Sequence, residues 1–353
     1  MRRHEMAMGD QKAHGGIPPA LAPPVRIYLM SQGAVITRAL SLAAELGLAD
    51  LLANGPRDTE QLAQATSTHA RSLYRMLRLL SSLGVFTEAR PGQFALTPLG
   101  ECLRSAVPGS MRSWLRMLGL KVWFHTYAEA LHSLRTGEPA FERGVGTEFF
   151  DYLTTHPQEG EIFNAAMSDF GRGVAAAVVR EYDFSGLAKI VDVGGGNGSL
   201  VSAILQAHPR MTGILFDQPH VIEGARRAIG DAGLANRCDI VSGDFFSFVP
   251  ADGDLYVLQR IIHDWDDDRA LKILRNCRAV MKDTGRLLLV ETVIPPGDEP
   301  HPGKLGDFVM LTALGGQERT AEEHAQLLDR AGFRLNRVVF TASPMSLLEG
   351  MPR

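Results

Sequence analysis

Short runs of consecutive apolar residues alternate, along the C-terminal part of this chain, with stretches in which apolar positions recur every three to four residues. The runs fall at residues 190–193, 213–216, 239–241, 254–258 and 286–290, and an intervening stretch such as Leu200, Ile204 and Leu205 has helical spacing. Runs apolar on both faces suit strands covered on both sides, and their alternation with helical patterns predicts a parallel sheet with helices on both faces, an α/β architecture. The N-terminal part reads differently. Leu40, Leu42, Ala43, Leu46, Leu48, Leu51 and Leu52 predict an amphipathic helix; Thr59 caps a short second one with Gln61 and Leu62; Ser67 opens a third with Leu73, Met76, Leu77 and Leu80. Segments 84–86 and 93–96, on either side of Pro91-Gly92, add a β-ribbon and complete a mostly helical winged-helix pattern. Between the two modules lie Trp114, Met117, Leu118, Trp123, Phe124 and Tyr127, then Phe149, Phe150, Phe163 and Met167, most of which at this spacing are core.

Composition fits this division. A chain of 353 residues has room for about two domains, and 45% hydrophobic with 22% charged residues is ordinary for a globular protein. Residues 1–24, with Arg2, Arg3 and IPPALAPP, read as a disordered tail, 25–110 as the winged-helix-like module, and 111–353 as a helical segment plus the sheet. The formal charge of -4 gives no electrostatic reason to expect nucleic acid or an anionic membrane as partner. No uncharged apolar run reaches the roughly 18 residues of a spanning helix. Cys102, Cys238 and Cys277 are odd in number and far apart, without disulfide or zinc spacing, so the expected home is a reducing cytoplasm.

The candidate chemistry gathers at strand ends. Gly194, Gly196 and Gly198 form a GxGxG turn directly after the first apolar run, so backbone can approach a ligand there. Ser199 stands where a dinucleotide fingerprint wants glycine, which argues against a nicotinamide dehydrogenase, and Asp192 places an acid suited to a cation rather than to pyrophosphate. An ordinary tight strand-to-helix connection is the alternative. Asp217 ends the second run, 23 positions after Gly194, where a carboxylate accepts ribose hydroxyls, and Asp244 and Phe245 follow the third.

The segments VDVGGGNG, LFDQPHVI, GDFF, IIHDWDDD and GGQERT together closely resemble the metal-independent small-molecule O-methyltransferases of plant phenylpropanoid and microbial natural-product pathways, from about residue 25 to the end. The resemblance implies a Rossmann-like methyltransferase sheet behind an N-terminal winged-helix dimerisation domain. It implies S-adenosyl-L-methionine as cofactor, with S-adenosyl-L-homocysteine as product, held by Asp192, the turn Gly194, Gly196 and Gly198, Asp217, Asp244, Phe245 and Trp265. Gln259 occupies a position where many plant members carry lysine. His263 would be the general base for methyl transfer to a phenolic hydroxyl of an aromatic natural product, since an imidazole near 6.5 accepts a proton that a phenol near 10 holds too tightly. Glu291 and Glu318 would flank that imidazole, and Phe163, Met167, Asp264 and Met310 would contact the acceptor. No metal is expected. The partners implied are a small aromatic substrate and a second copy of the chain, whose segment 25–44 closes the acceptor pocket.

Two readings stay open at this point. His263 could cap the helix that begins near Asp266. The winged-helix module could serve a DNA-binding regulator, with Arg71, Arg75 and Arg78 facing a groove, although those arginines interleave with a core stripe in the manner of a solvated face.

Overall fold

The computed structural model describes residues 21–105 and 107–353, which divide into two compact units at Ser105/Ala106. Most of the tail read at residues 1–24 lies outside the described residues, but Pro23 and Pro24 already open a helix, Pro23–Ser31.

The first unit continues with helices Gly33–Glu45, Leu48–Leu51, Thr59–Thr66, Ala70–Ser82 and Pro98–Glu101, and a small sheet of β1 (Arg57–Asp58), β2 (Phe86–Arg90) and β3 (Gln93–Leu96) in the order β1-β3-β2. Two helix boundaries differ from expectation. Asp58, not Thr59, holds the N-cap position, its own N–H donating to Gln61 Oε1 at 3.2 Å, while the Thr59 hydroxyl donates to the Gly92 carbonyl at 2.7 Å. Ser67 does not open the third helix; it closes the second in a left-handed conformation, and His69 is the next N-cap. The helix Ala70–Ser82 buries Leu73, Leu77 and Leu80 and leaves Arg71, Arg75 and Arg78 exposed, as a solvated face requires. The helix Pro23–Ser31 has no buried residue; Ile27, Tyr28 and Met30 are each more than 60% exposed.

In the second unit, six helices ending with the long Pro157–Glu181 precede a seven-stranded sheet. Its strands are β4 (Lys189–Val193), β5 (Thr212–Asp217), β6 (Cys238–Ser242), β7 (Leu255–Gln259), β8 (Arg286–Glu291), β9 (Phe333–Phe340) and β10 (Ser346–Pro352), in the order β6-β5-β4-β7-β8-β10-β9. The first five are parallel, with Ile190 flanked by Gly213 and Leu255. They are the five runs read from the sequence, and β4, β7 and β8 are buried almost throughout because helices cover both faces. Strands β10 and β9 add an antiparallel edge that no sequence pattern had announced. Chain order reverses between β4 and β7, so the crevice beyond their carboxyl ends is the place for a ligand.

The aromatic stretch between the modules is largely core. Met117, Trp123, Phe141 and Phe149 are buried in one cluster, with Trp114, Phe163 and Met167 at its partly exposed margin.

Candidate active site

The glycine turn starts where β4 ends. Gly194 has φ +72°, and a side-chain carbon there would run into Ile261. The Gly194 N–H donates to the Phe216 carbonyl at 2.8 Å, and the Gly196 N–H to Asp217 Oδ2 at 2.8 Å. Asp217 also accepts from the Gln218 N–H at 2.6 Å, yet burial holds its carboxyl above the usual range. At Gly196, φ +58°, an added carbon would meet nothing, so the turn is open on that side. Asn197 ties it to the long helix through a 2.8 Å hydrogen bond to the Ser168 hydroxyl.

Several polar atoms around this turn are buried without a partner among the described residues: both carboxylate oxygens of Asp192, Gln259 Oε1 and Trp265 Nε1. Burial pushes Asp192 up to about 7, with the Asp217 charge adding to the effect. Leaving such groups unpaired is costly, which suits Gln259 and Trp265 to a polar ligand, whereas the Asp192 carboxyl also feels the Val201 N–H of the following helix. Asp244, in the loop after β6, accepts from the Phe246 N–H at 2.9 Å and the Ser247 hydroxyl at 3.1 Å. The next two side chains form an aromatic wall with Trp265, whose ring lies 6.2 Å from that of Phe245 and 4.8 Å from that of Phe246.

His263 sits in the single turn of 3-10 helix Ile262–Asp264 that follows β7. The backbone of this turn is held from several sides. Glu291 Oε1, at the end of β8, accepts from the Ile261 and Ile262 N–H groups at 3.1 and 2.8 Å. Buried Arg319 donates to the Ile262 carbonyl at 3.2 Å, the Trp265 carbonyl at 3.1 Å and Asp267 at 2.9 Å, while the Gln317 N–H reaches the His263 carbonyl at 2.9 Å. The ring itself is 4% exposed with its edge between two acids: Nδ1 is 2.9 Å from Glu318 Oε1 and Nε2 is 3.2 Å from Asp264 Oδ1. Burial lowers the affinity of the ring for its proton, but Asp264, Glu291 and Glu318 outweigh it and raise the imidazole to about 9. This departs from the value near 6.5 expected for an isolated ring, because three carboxyl groups share its pocket.

Glu291 has a second task beside the one expected of it. It makes no hydrogen bond to the ring among the described residues, although its charge helps to raise the imidazole; it holds the backbone on which the ring is mounted, and burial raises it to about 7. Its ligand atom, with those of His263 and Glu318, falls within 4.8 Å of the others, a spacing that could admit a cation; Glu318 Oε1 and Glu291 Oε1 are engaged by the Nδ1 and backbone contacts above, while the Oε2 atom of each is buried without a partner among the described residues. The helix-capping reading of His263 gives way, since Asp266 caps Asp267–Val280 by accepting from the Arg269 N–H at 2.8 Å.

Of the expected acceptor contacts, Phe163 and Met167 lie half-buried on the long helix and Met310 is buried on Pro302–Ala313. Sequence reasoning missed Arg319, Ile261 and Gly316. Gly316 backs directly onto the His263 turn, where a Cβ would overlap the His263 carbonyl oxygen. Arg319 and Gly316 stand in the quoted GGQERT segment, but their partners are more than 50 positions away, so spacing alone carried no signal.

Residues 124–334 match the O-methyltransferase domain, and residues 28–105 the O-methyltransferase dimerisation domain. The chain belongs to the O-methyltransferase family. It is 48% identical to a phenazine O-methyltransferase of Lysobacter antibioticus, over 92% of this chain and 94% of that protein. It is 40% identical to an O-demethylpuromycin O-methyltransferase of Streptomyces alboniger, over 93% and 89%. Among solved structures, an O-methyltransferase of neocarzinostatin biosynthesis, in complex with S-adenosylmethionine and 2-hydroxy-5-methyl naphthoic acid, matches with a TM-score of 0.80 at 34% identity, covering 92% of this chain and 98% of that one. The methyltransferase therefore has S-adenosylmethionine as its methyl donor, and the regulator reading is not supported: the module that suggested DNA binding is the family's dimerisation domain. The open turn at Gly196 and the unpartnered Asp192, Gln259 and Trp265 atoms fit a donor with amino, hydroxyl and heteroaromatic groups and no phosphate.

Proposed function

We propose that this methyltransferase acts on a hydroxyl group of an aromatic natural product, with His263 as the general base. The observation that carries the reading is the placement of His263: a buried imidazole at the carboxyl end of β7, beside the glycine turn, with Nδ1 fixed by Glu318 and Nε2 directed to where an acceptor hydroxyl would compete with Asp264. When bound, S-adenosylmethionine supplies a methyl group on a positively charged sulfur. Asp217 would accept the ribose hydroxyls, Asp244 the adenine amino group, and Phe245 and Trp265 would face the ring; Gln259 would turn to the methionyl end, since Gly171 and Ser199 are its neighbours. Asp192 supports the turn and favours a cation beside it.

The chain's own part in the reaction is proton handling and alignment. In its neutral form, reached as pH rises toward its raised pKa, the ring takes the acceptor proton on Nε2 as the oxygen becomes nucleophilic, while Glu318 on Nδ1 fixes the tautomer and stabilises the charged ring. Glu291 and Arg319 keep the turn in register. Relatives that act on phenazines and naphthoates support a flat, fused-ring acceptor, which Phe163, Met167 and Met310 would contact. The dimerisation domain supports a homodimer.

Methyl transfer followed by mass spectrometry tests the reading. His263→Ala should lose about 100- to 10,000-fold in rate with S-adenosylhomocysteine affinity unchanged, and chelation should leave the wild-type rate untouched. Activity abolished by EDTA and restored by magnesium would overturn it.

A further inference from the structure

We propose that Arg260 anchors a carboxylate on the acceptor, making the preferred substrate an aromatic hydroxy acid whose carboxylate meets Arg260 while its hydroxyl meets His263. This rests on the methyltransferase reading above and narrows its acceptor.

Arg260 directly follows β7 and precedes His263 by three positions. Its φ of +54° lies in the left-handed region that long side chains seldom adopt, and its N–H is pinned to the Val290 carbonyl at 3.0 Å. Strain of this kind persists where the surroundings impose it and concentrates at functional sites. The neighbours on either side face the cofactor turn: Gln259 lies against Gly171, which also meets Ser199, and Ile261 lies against Gly194. The arginine side chain goes elsewhere. Its Nη1 lies 3.2 Å from Met167 Sδ, and its guanidinium carbon lies 5.0 Å from the centre of the Phe170 ring, which stacks on Trp114 at 5.8 Å.

The long helix separates the two tasks. Ser168 and Gly171 form the stripe that meets Asn197 and Ser199 of the cofactor turn. Phe163, Met167 and Phe170, spaced i, i+4 and i+7, form the next stripe, which holds two of the expected acceptor contacts. Arg260 lies on that second stripe, with the acceptor residues.

A thioether and a ring face are weak partners for a planar fork of five N–H donors. Among the described residues the guanidinium has no carboxylate in ion-pair contact; Asp264, which senses its charge, directs Oδ1 to His263 Nε2. A carboxylate entering beside Met167 could take two parallel N–H bonds. Three virtual bonds of 3.8 Å put the Arg260 and His263 Cα atoms at most about 11 Å apart, so both side chains start close enough to address one small acceptor.

The test is calorimetry on the full chain saturated with S-adenosylhomocysteine, using hydroxybenzoates and hydroxynaphthoates and their carboxamides as probes. Wild type should bind at least one acid about 10- to 100-fold more tightly than its amide, the range expected for hydrogen bonds to a charged group. Arg260→Met should abolish that preference and leave S-adenosylhomocysteine affinity unchanged, and Arg260→Lys should retain part of it. Equal affinity for acid and amide, binding of neither, or a preference that survives in Arg260→Met would overturn the proposal. So would a parallel loss of S-adenosylhomocysteine affinity, which would give the guanidinium to the cofactor's own carboxylate. An acid that binds through Arg260 without being methylated would instead overturn the reading of the reaction and leave the anchor standing.

Discussion

Burial alone would strip the His263 ring of its proton, and the acids packed around it reverse that outcome, raising it to about 9 against 6.5 for a free imidazole. The direction fixes how stability depends on pH. A histidine raised on folding stabilises the fold fully below pH 6.5 and loses that contribution as pH rises through about 9. Glu291, raised by burial from 4.5 to about 7, acts in the same sense at lower pH, because the fold favours its protonated form. Thermal denaturation of the ligand-free chain should therefore show stability falling between pH 6.5 and 9, and His263→Gln should flatten that part of the curve; an equally steep fall in the variant would refute the assignment. Gly316 acts through shape. Its α-hydrogen faces the His263 carbonyl at a distance no methyl group fits, so Gly316→Ala must displace the His263 turn. A misplacement near 1 Å costs on the order of 100-fold in rate. Kinetics of Gly316→Ala with normal far-UV dichroism should show a loss of that order, and unaltered turnover would mean the loop yields without moving His263.

The His263 turn belongs to no regular element of any length, so its geometry comes from its neighbours. Glu291 closes β8 and holds two N–H groups of the turn, while Arg319 holds its carbonyls at Ile262 and Trp265 and joins it to Asp267 at the start of the following helix. Arg319→Met leaves both carbonyls without that donor, at about 1–3 kcal/mol for each buried group left unpaired. The variant should melt several degrees below wild type and lose activity, whereas an unchanged melting temperature would show that water replaces the guanidinium. The elements themselves were legible to different degrees. Strands β4, β5, β7 and β8 stood out because burial on both faces makes them continuous apolar runs, and the acids just beyond the parallel strands fell in the crevice where α/β sheets bind ligands. The hairpin β9 and β10 did not, because β9 buries only Phe333 and carries Arg334, Asn336 and Arg337 among half-buried positions, and β10 carries Glu349 amid its apolar residues. That glutamate is legible only in three dimensions, where Tyr182 and Asn336 donate to it at 2.7 and 2.6 Å. Ser67 misled for a related reason: a serine before a helical stripe reads as an N-cap, but here it takes the left-handed turn that ends the preceding helix.

At the scale of the molecule, the dimerisation domain displays apolar surface that its own unit does not cover. Val25, Ile27, Tyr28, Leu29, Met30 and Val35 are exposed, and an apolar groove of about 880 Å³ runs between Gly33–Glu45 and Ala70–Ser82, lined by Val35, Leu42, Leu73 and Met76 among others. Obligate pairing commonly buries more than about 2,000 Å², and light scattering should find twice the 38.4 kDa mass of one chain; a monodisperse monomer with full activity would exclude the dimer. The proposed reaction turns on a narrower point, that His263 takes the acceptor's proton. It is tested most directly by the pH dependence of single-turnover methyl transfer in wild type and His263→Ala, with one phenolic acceptor and saturating S-adenosylmethionine. The wild-type rate should rise with pH and level off at an apparent pKa belonging to His263, and the variant should be slower by about 100- to 10,000-fold with its rate following the acceptor's own ionisation near 10. Superimposable profiles in the two proteins would contradict the account.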